Sequence, residues 1–150
     1  MGEQCSTTST IIYFAENLEE QSSIFYEELA KKFANKKDTF MSFAKESRTN
    51  KISIIRTYQE TVTDAFETGF SFENLNLSEF NIDIKITKND NLSDMLRKAI
   101  ELEEKMIKFY TVVAEKSKTL LGAISTDLSR IAEKRYKRKL KLEEILKNID

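Results

Sequence analysis

The chain contains no histidine and no proline, only three glycines and a single cysteine. Each shortage excludes something. Without histidine, no imidazole is available as a metal ligand. Without proline, and with so little glycine, almost nothing interrupts a helix. One cysteine, Cys5, rules out an intrachain disulfide and any four-cysteine zinc or iron site. A reduced cytoplasmic setting is the default for such a chain. No stretch is long and apolar enough to span a bilayer, and the first residues lack the apolar core of a signal sequence. The formal net charge is −1, so there is no global attraction to nucleic acid or to an anionic membrane. Neither is expected as a partner.

What is present fits one soluble helical domain over residues 1–150, with 40% hydrophobic and 33% charged residues. The opening MGEQCS matches a short pattern for N-myristoylation at Gly2, with Cys5 a conceivable palmitoylation site. The plainer reading is a polar, flexible start over residues 1–8.

One pattern occurs twice. It reads LEEQSSIFYEELA at 18–30 and LEEKMIKFYTVVA at 102–114. In both copies a Glu precedes a Tyr by seven residues: Glu19 with Tyr26, Glu103 with Tyr110. That separation is two helical turns, so each pair shares a helix face.

Four segments carry helical periodicity. The first, 9–35, has the stripe Ile12, Ala15, Glu19, Ser22, Tyr26, Leu29, Phe33. The second, 38–67, has Phe40, Phe43, Ser47, Asn50, Ile54, with Asp38 as N-cap and Gly69 as terminator. The third, 92–117, starts near Asn91 or Ser93 and carries Leu92, Leu96, Ala99, Glu103, Met106, Tyr110, Val113. The fourth, 123–148, carries Leu128, Ile131, Arg135, Arg138, Leu142, Ile145, Ile149. Steps of three and four mark one buried face on each. Between the second and third, residues 69–90 alternate Ile82, Ile84 and Ile86 with polar residues, as an extended crossover does. Short links elsewhere pair the helices as two antiparallel hairpins. The duplication extends to the second helix of each half, where Phe43-Ala44 corresponds to Ile131-Ala132 and Lys51 to Lys139.

This pattern resembles the rubrerythrin branch of the ferritin-like superfamily, over roughly 10–67 and 92–148. The resemblance rests on AxxxExxxxxxY in the first helix of each half (Ala15, Glu19, Tyr26; Ala99, Glu103, Tyr110) and on the long crossover. It implies an all-α, ferritin-like antiparallel four-helix bundle with a long crossover between helices 2 and 3. In that family each half supplies one Glu and an E-x-x-H pair, six ligands that hold two irons. The resemblance puts Glu19 and Glu103 at the first-helix ligand positions, with Tyr26 and Tyr110 as hydrogen-bonding neighbours. The second-helix positions have changed. FAKESRTN places Ser47 and Asn50 where Glu and His would stand, and IAEKRYKR places Arg135 and Arg138 there. Four of six ligand positions are thus lost.

Two carboxylates remain, and two guanidinium groups take inward positions, so charge again sums to zero. We expect Arg135 and Arg138 to occupy the space and charge role of the two irons, because buried unpaired charge is prohibitively costly. Other arrangements are conceivable. Glu19 and Glu103 would bond only water if they lay at the bundle's edge. A residual metal site would need Glu19 and Glu103 to converge with neighbours such as Glu20, Glu46, Glu104 or Glu133. Tyr26 and Tyr110 read as core residues whose hydroxyls need partners, for which Glu19 and Glu103 are the obvious choices.

Functionally, the expectation is a non-enzymatic structural or interaction protein with no cofactor, a homodimer on family grounds. The alternative is a rubrerythrin-like oxidoreductase, reducing peroxide or oxidising ferrous iron on the remaining carboxylates, although the CxxC pairs of the rubredoxin module are missing. The basic run EKRYKRKLKLEE at 133–144, with Tyr136 inside it, suggests nucleic-acid contact but reads more simply as a solvated helix face. Residues 69–86 would cover either the chain's own bundle or a partner.

Overall fold

A computed structural model of the chain describes residues 5–61, 71–73, 75–118 and 122–149. Within these the architecture is helical, built on four long helices: α1 (Thr8–Lys32), α2 (Lys37–Thr61), α3 (Leu92–Ser117) and α4 (Gly122–Lys147). A two-stranded ribbon joins β1 (Cys5–Thr7) to β2 (Ser71–Glu73), antiparallel, with Ser6 opposite Phe72.

The helix ends follow local chemistry. Thr7 caps α1 by accepting the Thr10 N–H at 3.2 Å, and Asn91 caps α3 by accepting that of Asp94 at 2.8 Å. The start of α3 therefore falls where the sequence suggests. Helix α4 is shifted by one residue, and three features of the N-terminal half also depart from expectation. First, α1 stops at Lys32 rather than near 35, because Ala34–Lys36 tightens into a 3-10 turn. Second, α2 begins at Lys37, so Asp38 sits inside its first turn, where a carboxylate still favours the helix dipole. Third, the first eight residues are not a loose start throughout: Cys5–Thr7 pairs as a strand and Thr8 is buried. The expected end of helix 2 over 62–67, Gly69 and Gly2 lie outside the described residues.

The four apolar stripes face one core, with Phe33, Leu92 and Ile145 only partly buried at their ends and Ile149, beyond α4, exposed. The most extensive helix contacts are α1 with α2 and α3 with α4, followed by α2 with α4. Along the first seam Glu19 meets Asn50, Ser22 meets Ser47, and Tyr26 meets Phe43.

The segment between the halves covers this chain's own bundle, on the α1–α3 side. A short 3-10 turn, Leu77–Phe80, is capped by Asn76. It drives Phe80 into the core against Phe109, which in turn meets Phe14. Beyond it Ile82, Ile84 and Ile86 lean on the core, while Asn81, Asp83 and Lys85 face solvent. Lysines hold the backbone in place: Lys105 bonds the Asn81 carbonyl at 3.0 Å, Lys98 that of Lys85, and Lys32 that of Thr87 at 2.6 Å. Such carbonyls lack ladder partners, so side-chain donors satisfy them.

Phe80 is the anchor of this cover. Phe80→Ala should cost about 3–5 kcal/mol and should speed proteolysis between 81 and 90, read by urea denaturation and limited digestion. A loss within experimental error would show that the segment rests on the bundle without gripping it.

Candidate functional site

The two glutamates of each LEE motif part company. Successive helical residues diverge by about 100°. Glu19 and Glu103 therefore turn inward, and their neighbours turn out. Glu20 pairs with Lys51 at 3.0 Å, and Glu104 pairs with Lys139 at 3.5 Å. The duplicated sequence thus places the same surface bridge on both helix pairs.

Inward, Glu19, Tyr26, Ser47, Asn50, Glu103, Tyr110, Arg135 and Arg138 are each no more than 2% exposed. The arrangement with Glu19 and Glu103 at the bundle's edge is thereby corrected. Arg135 is the hub. Its Nη2 and Nε donate to the two oxygens of Glu19 at 2.6 and 3.2 Å, and its Nη1 donates to Glu103 Oε1 at 2.6 Å. Nη2 also reaches the Ser22 and Ser47 hydroxyls at 3.2 and 3.3 Å. Such a two-point grip on a carboxylate is what a guanidinium fork does best. Small residues make room for it: a longer side chain at Ser22 or Ser47 would occupy the same space.

Arg138 lies beside the hub. Its Nη1 donates to Ser47 Oγ at 3.1 Å and, more weakly, to Glu103 Oε2 at 3.4 Å. Its Nη2 runs outward to Glu46 at 2.5 Å, and Glu46 is 35% exposed. The guanidinium carbon stands 5.3 Å from the Tyr26 ring and 5.1 Å from that of Phe43, within cation–π range. Arg138 therefore links the buried centre to the surface. The two arginines have different roles: Arg135 bridges both carboxylates, and Arg138 shares one of them with Glu46.

The tyrosines pair across the bundle and not within their own helices. Tyr26 donates to Glu103 Oε2 at 2.5 Å, and Tyr110 donates to Glu19 Oε2. Each half thus holds the other half's carboxylate. Asn50 makes only a long contact to Glu19, at 3.5 Å.

Ionisation follows from these contacts. Burial raises the Tyr26 hydroxyl well above its usual value and the Glu103 carboxylate adds to this, while Arg138 and Arg135 offset only part. Burial, then Glu19, does the same to Tyr110. Burial works against the Glu103 carboxylate, but Arg135 and Arg138 outweigh it and hold the group below the usual range. Burial likewise opposes the charge on Arg135, and Glu103 and Glu19 overcome it, leaving the guanidinium more firmly protonated than in water. Glu103 and Arg135 are therefore held in their charged forms, and Tyr26 and Tyr110 in their neutral forms.

These donors do not fit a pair of divalent metals. Every oxygen of Glu19 and Glu103 already accepts from a guanidinium, with tyrosine hydroxyls added on two of them. Among the described residues no three His, Cys, Asp or Glu side chains group to hold a metal. Of the neighbours considered for a residual site, Glu20 and Glu104 pair outward with lysines, Glu46 pairs with Arg138, and Glu133 is exposed.

Two features escape the sequence reading. One is Glu46 as partner to Arg138, which the sequence balances against Glu19 and Glu103 alone. The other is a second polar layer between α2 and α4. Asp127 accepts from Ser53 at 2.9 Å and Thr57 at 3.2 Å, and is joined by Arg130, which also donates to Ser53 at 2.9 Å. The basic side chains of α4 are partly consumed in such contacts. Arg130 serves Asp127, Lys139 serves Glu104, and Arg135 and Arg138 point inward. Among the described residues, no helix is long and apolar enough to cross a membrane. No family model, curated protein or solved structure matches the chain.

Removing one partner strands buried charge. Glu19→Ala should cost about 3–5 kcal/mol, and Glu19→Gln with Arg135→Met together should cost far less than their sum, a coupling of about 2–3 kcal/mol in a double-mutant cycle. Additive losses in urea would contradict the hub. The ionisation shifts also set a pH window. Glu103 contributes above its unfolded value, near pH 4.3, and that stability is lost as pH falls through its depressed folded value. Tyr26 and Tyr110 contribute below about pH 10, and theirs is lost as pH rises through their elevated values. A melting temperature that is level from about pH 5 to 9 and falls on both sides is expected by circular dichroism.

Proposed function

We propose that this chain is a rubrerythrin-like member of the ferritin-like superfamily whose di-iron centre has given way to a glutamate–arginine network. On this reading it is an antiparallel four-helix bundle with a long crossover. It works in the cytoplasm as a structural or interaction protein, as a homodimer, without cofactor and without catalysis. One observation carries the reading: the Arg135 guanidinium bridges Glu19 and Glu103 at 2.6 Å on each side. That is where the resemblance puts a metal pair, and it supports a cation of the protein's own in its place. The seam order of Glu19–Asn50, Ser22–Ser47 and Tyr26–Phe43 supports the antiparallel hairpin. The oxidoreductase alternative would need free carboxylate oxygens, and no contact at the centre favours it.

The test is metal analysis of protein purified after growth in iron and again after incubation with ferrous salt. Sub-stoichiometric iron is expected in both samples, with melting unchanged by chelators. Stoichiometric bound iron would sink the reading. A companion variant carrying Ser47→Glu, Asn50→His, Arg135→Glu and Arg138→His should gain iron binding, and its failure to do so counts against the ancestry.

A further inference from the structure

The groups that hold the Arg135 head come from three helices other than its own. Glu19 and Ser22 lie on α1, Ser47 on α2 and Glu103 on α3, and all are fully buried. They are also held independently of the arginine. Tyr110 and Tyr26 fix the carboxylates from behind, and the two serine hydroxyls bond each other at 3.1 Å. The cage is therefore ordered by its own neighbours rather than by the arginine's stem.

Its shape selects a planar trigonal cation. Glu19 takes two nitrogens along one edge, at 2.6 and 3.2 Å, and Glu103 takes the third nitrogen on another edge at 2.6 Å. The serine oxygens lie 3.2 and 3.3 Å from a nitrogen already bound to Glu19. An ammonium ion has no fork to span two carboxylates in this way. A dication would find two carboxylates backed by hydroxyls and would meet the neighbouring Arg138 head, 3.4 Å from Glu103, with twice the repulsion of a single charge. We propose that the centre is a guanidinium-binding site whose resident ligand is the Arg135 side chain. A chain lacking that side chain takes up free guanidinium or a short alkylguanidinium in the same cage. This goes beyond loss of metal, because it follows from the cage geometry whatever the ancestry of the bundle.

The experiment is chemical rescue of full-length Arg135→Ala. Melting is followed by circular dichroism in guanidinium chloride up to ~100 mM, a concentration at which its denaturing effect is small. Ammonium chloride, sodium chloride, urea and ferrous salt serve as comparisons. With a Kd on the order of 1 mM, guanidinium at ~100 mM shifts the variant ~100-fold toward the folded state. It should recover most of the melting temperature lost, and ethylguanidinium should act at lower concentration by also filling the space of the stem. Wild-type protein, whose cage is occupied, gains nothing. If Arg135→Ala is unfolded alone, recovery of helicity on refolding with guanidinium is the readout. The variant Glu19→Gln, Glu103→Gln, Arg135→Ala keeps the cavity without its charges and should show no rescue. The proposal is overturned by absence of recovery, by equal recovery with ammonium or ferrous ion, or by equal gain in the variant without carboxylates. Iron uptake by wild-type protein would count against the metal-loss reading and leave this result standing.

Discussion

The structure turns on a guanidinium held between two carboxylates in a place water does not reach. Ionised groups are expensive to bury, and the expense is met here only because each charge finds its opposite within hydrogen-bond distance. Much else follows from that demand. Residues on α1 and α2 near the hub must be small, and they are Ser22 and Ser47. The rotation of α4 about its axis is set by the need to aim Arg135 and Arg138 inward together. Arg138, with only a part share in Glu103, must reach the surface at Glu46. A single unpaired member would leave a charge stranded, so these residues can change only in combination.

The same centre joins the two halves of an internal repeat. Each helix pair packs mainly on itself, and direct contact between the halves runs chiefly through α2 and α4. On the other side the crossed tyrosines tie α1 to α3, each reaching the glutamate of the opposite repeat. The connector then closes this side with Phe80 and three isoleucines. The first helices of the two halves remain equivalent to the level of single bonds: inward Glu, crossed Tyr, outward Glu–Lys bridge. The second helices do not. One supplies small neutral groups and the other supplies both cations. The repeat survives where the residues serve each half alike and is broken where one guanidinium must serve both.

Two carboxylates balance two guanidinium groups at this centre and every carboxylate oxygen accepts from a guanidinium, while Arg138 Nε and Asn50 Oδ1 are buried without a partner. On the surface, the duplicated Glu20–Lys51 and Glu104–Lys139 bridges mark the outer faces of the two helix pairs.

Much of this was legible in the residues. Helical spacing located the four helices within a few positions, because period and absence of breakers are local properties. It also named nine inward polar side chains, Ser22 among them, since a mid-helix stripe position favours burial whatever the residue type. Net neutrality of Glu19 and Glu103 with Arg135 and Arg138 could be counted from the sequence alone. Other features could not be read there. The crossing of Tyr26 to Glu103 and Tyr110 to Glu19 depends on how far apart two helices stand, which no spacing along one helix encodes. The choice of Glu46 for Arg138 depends on a side chain long enough to leave the core. Helix ends at Lys32 and Lys37 were decided by a turn, and the path of residues 75–88 by lysines on α1 and α3 that reach its carbonyls. Sequence determined which residues face inward, because periodicity is a property of one helix. Tertiary structure alone decided which of them touch, because pairing depends on the distances between helices.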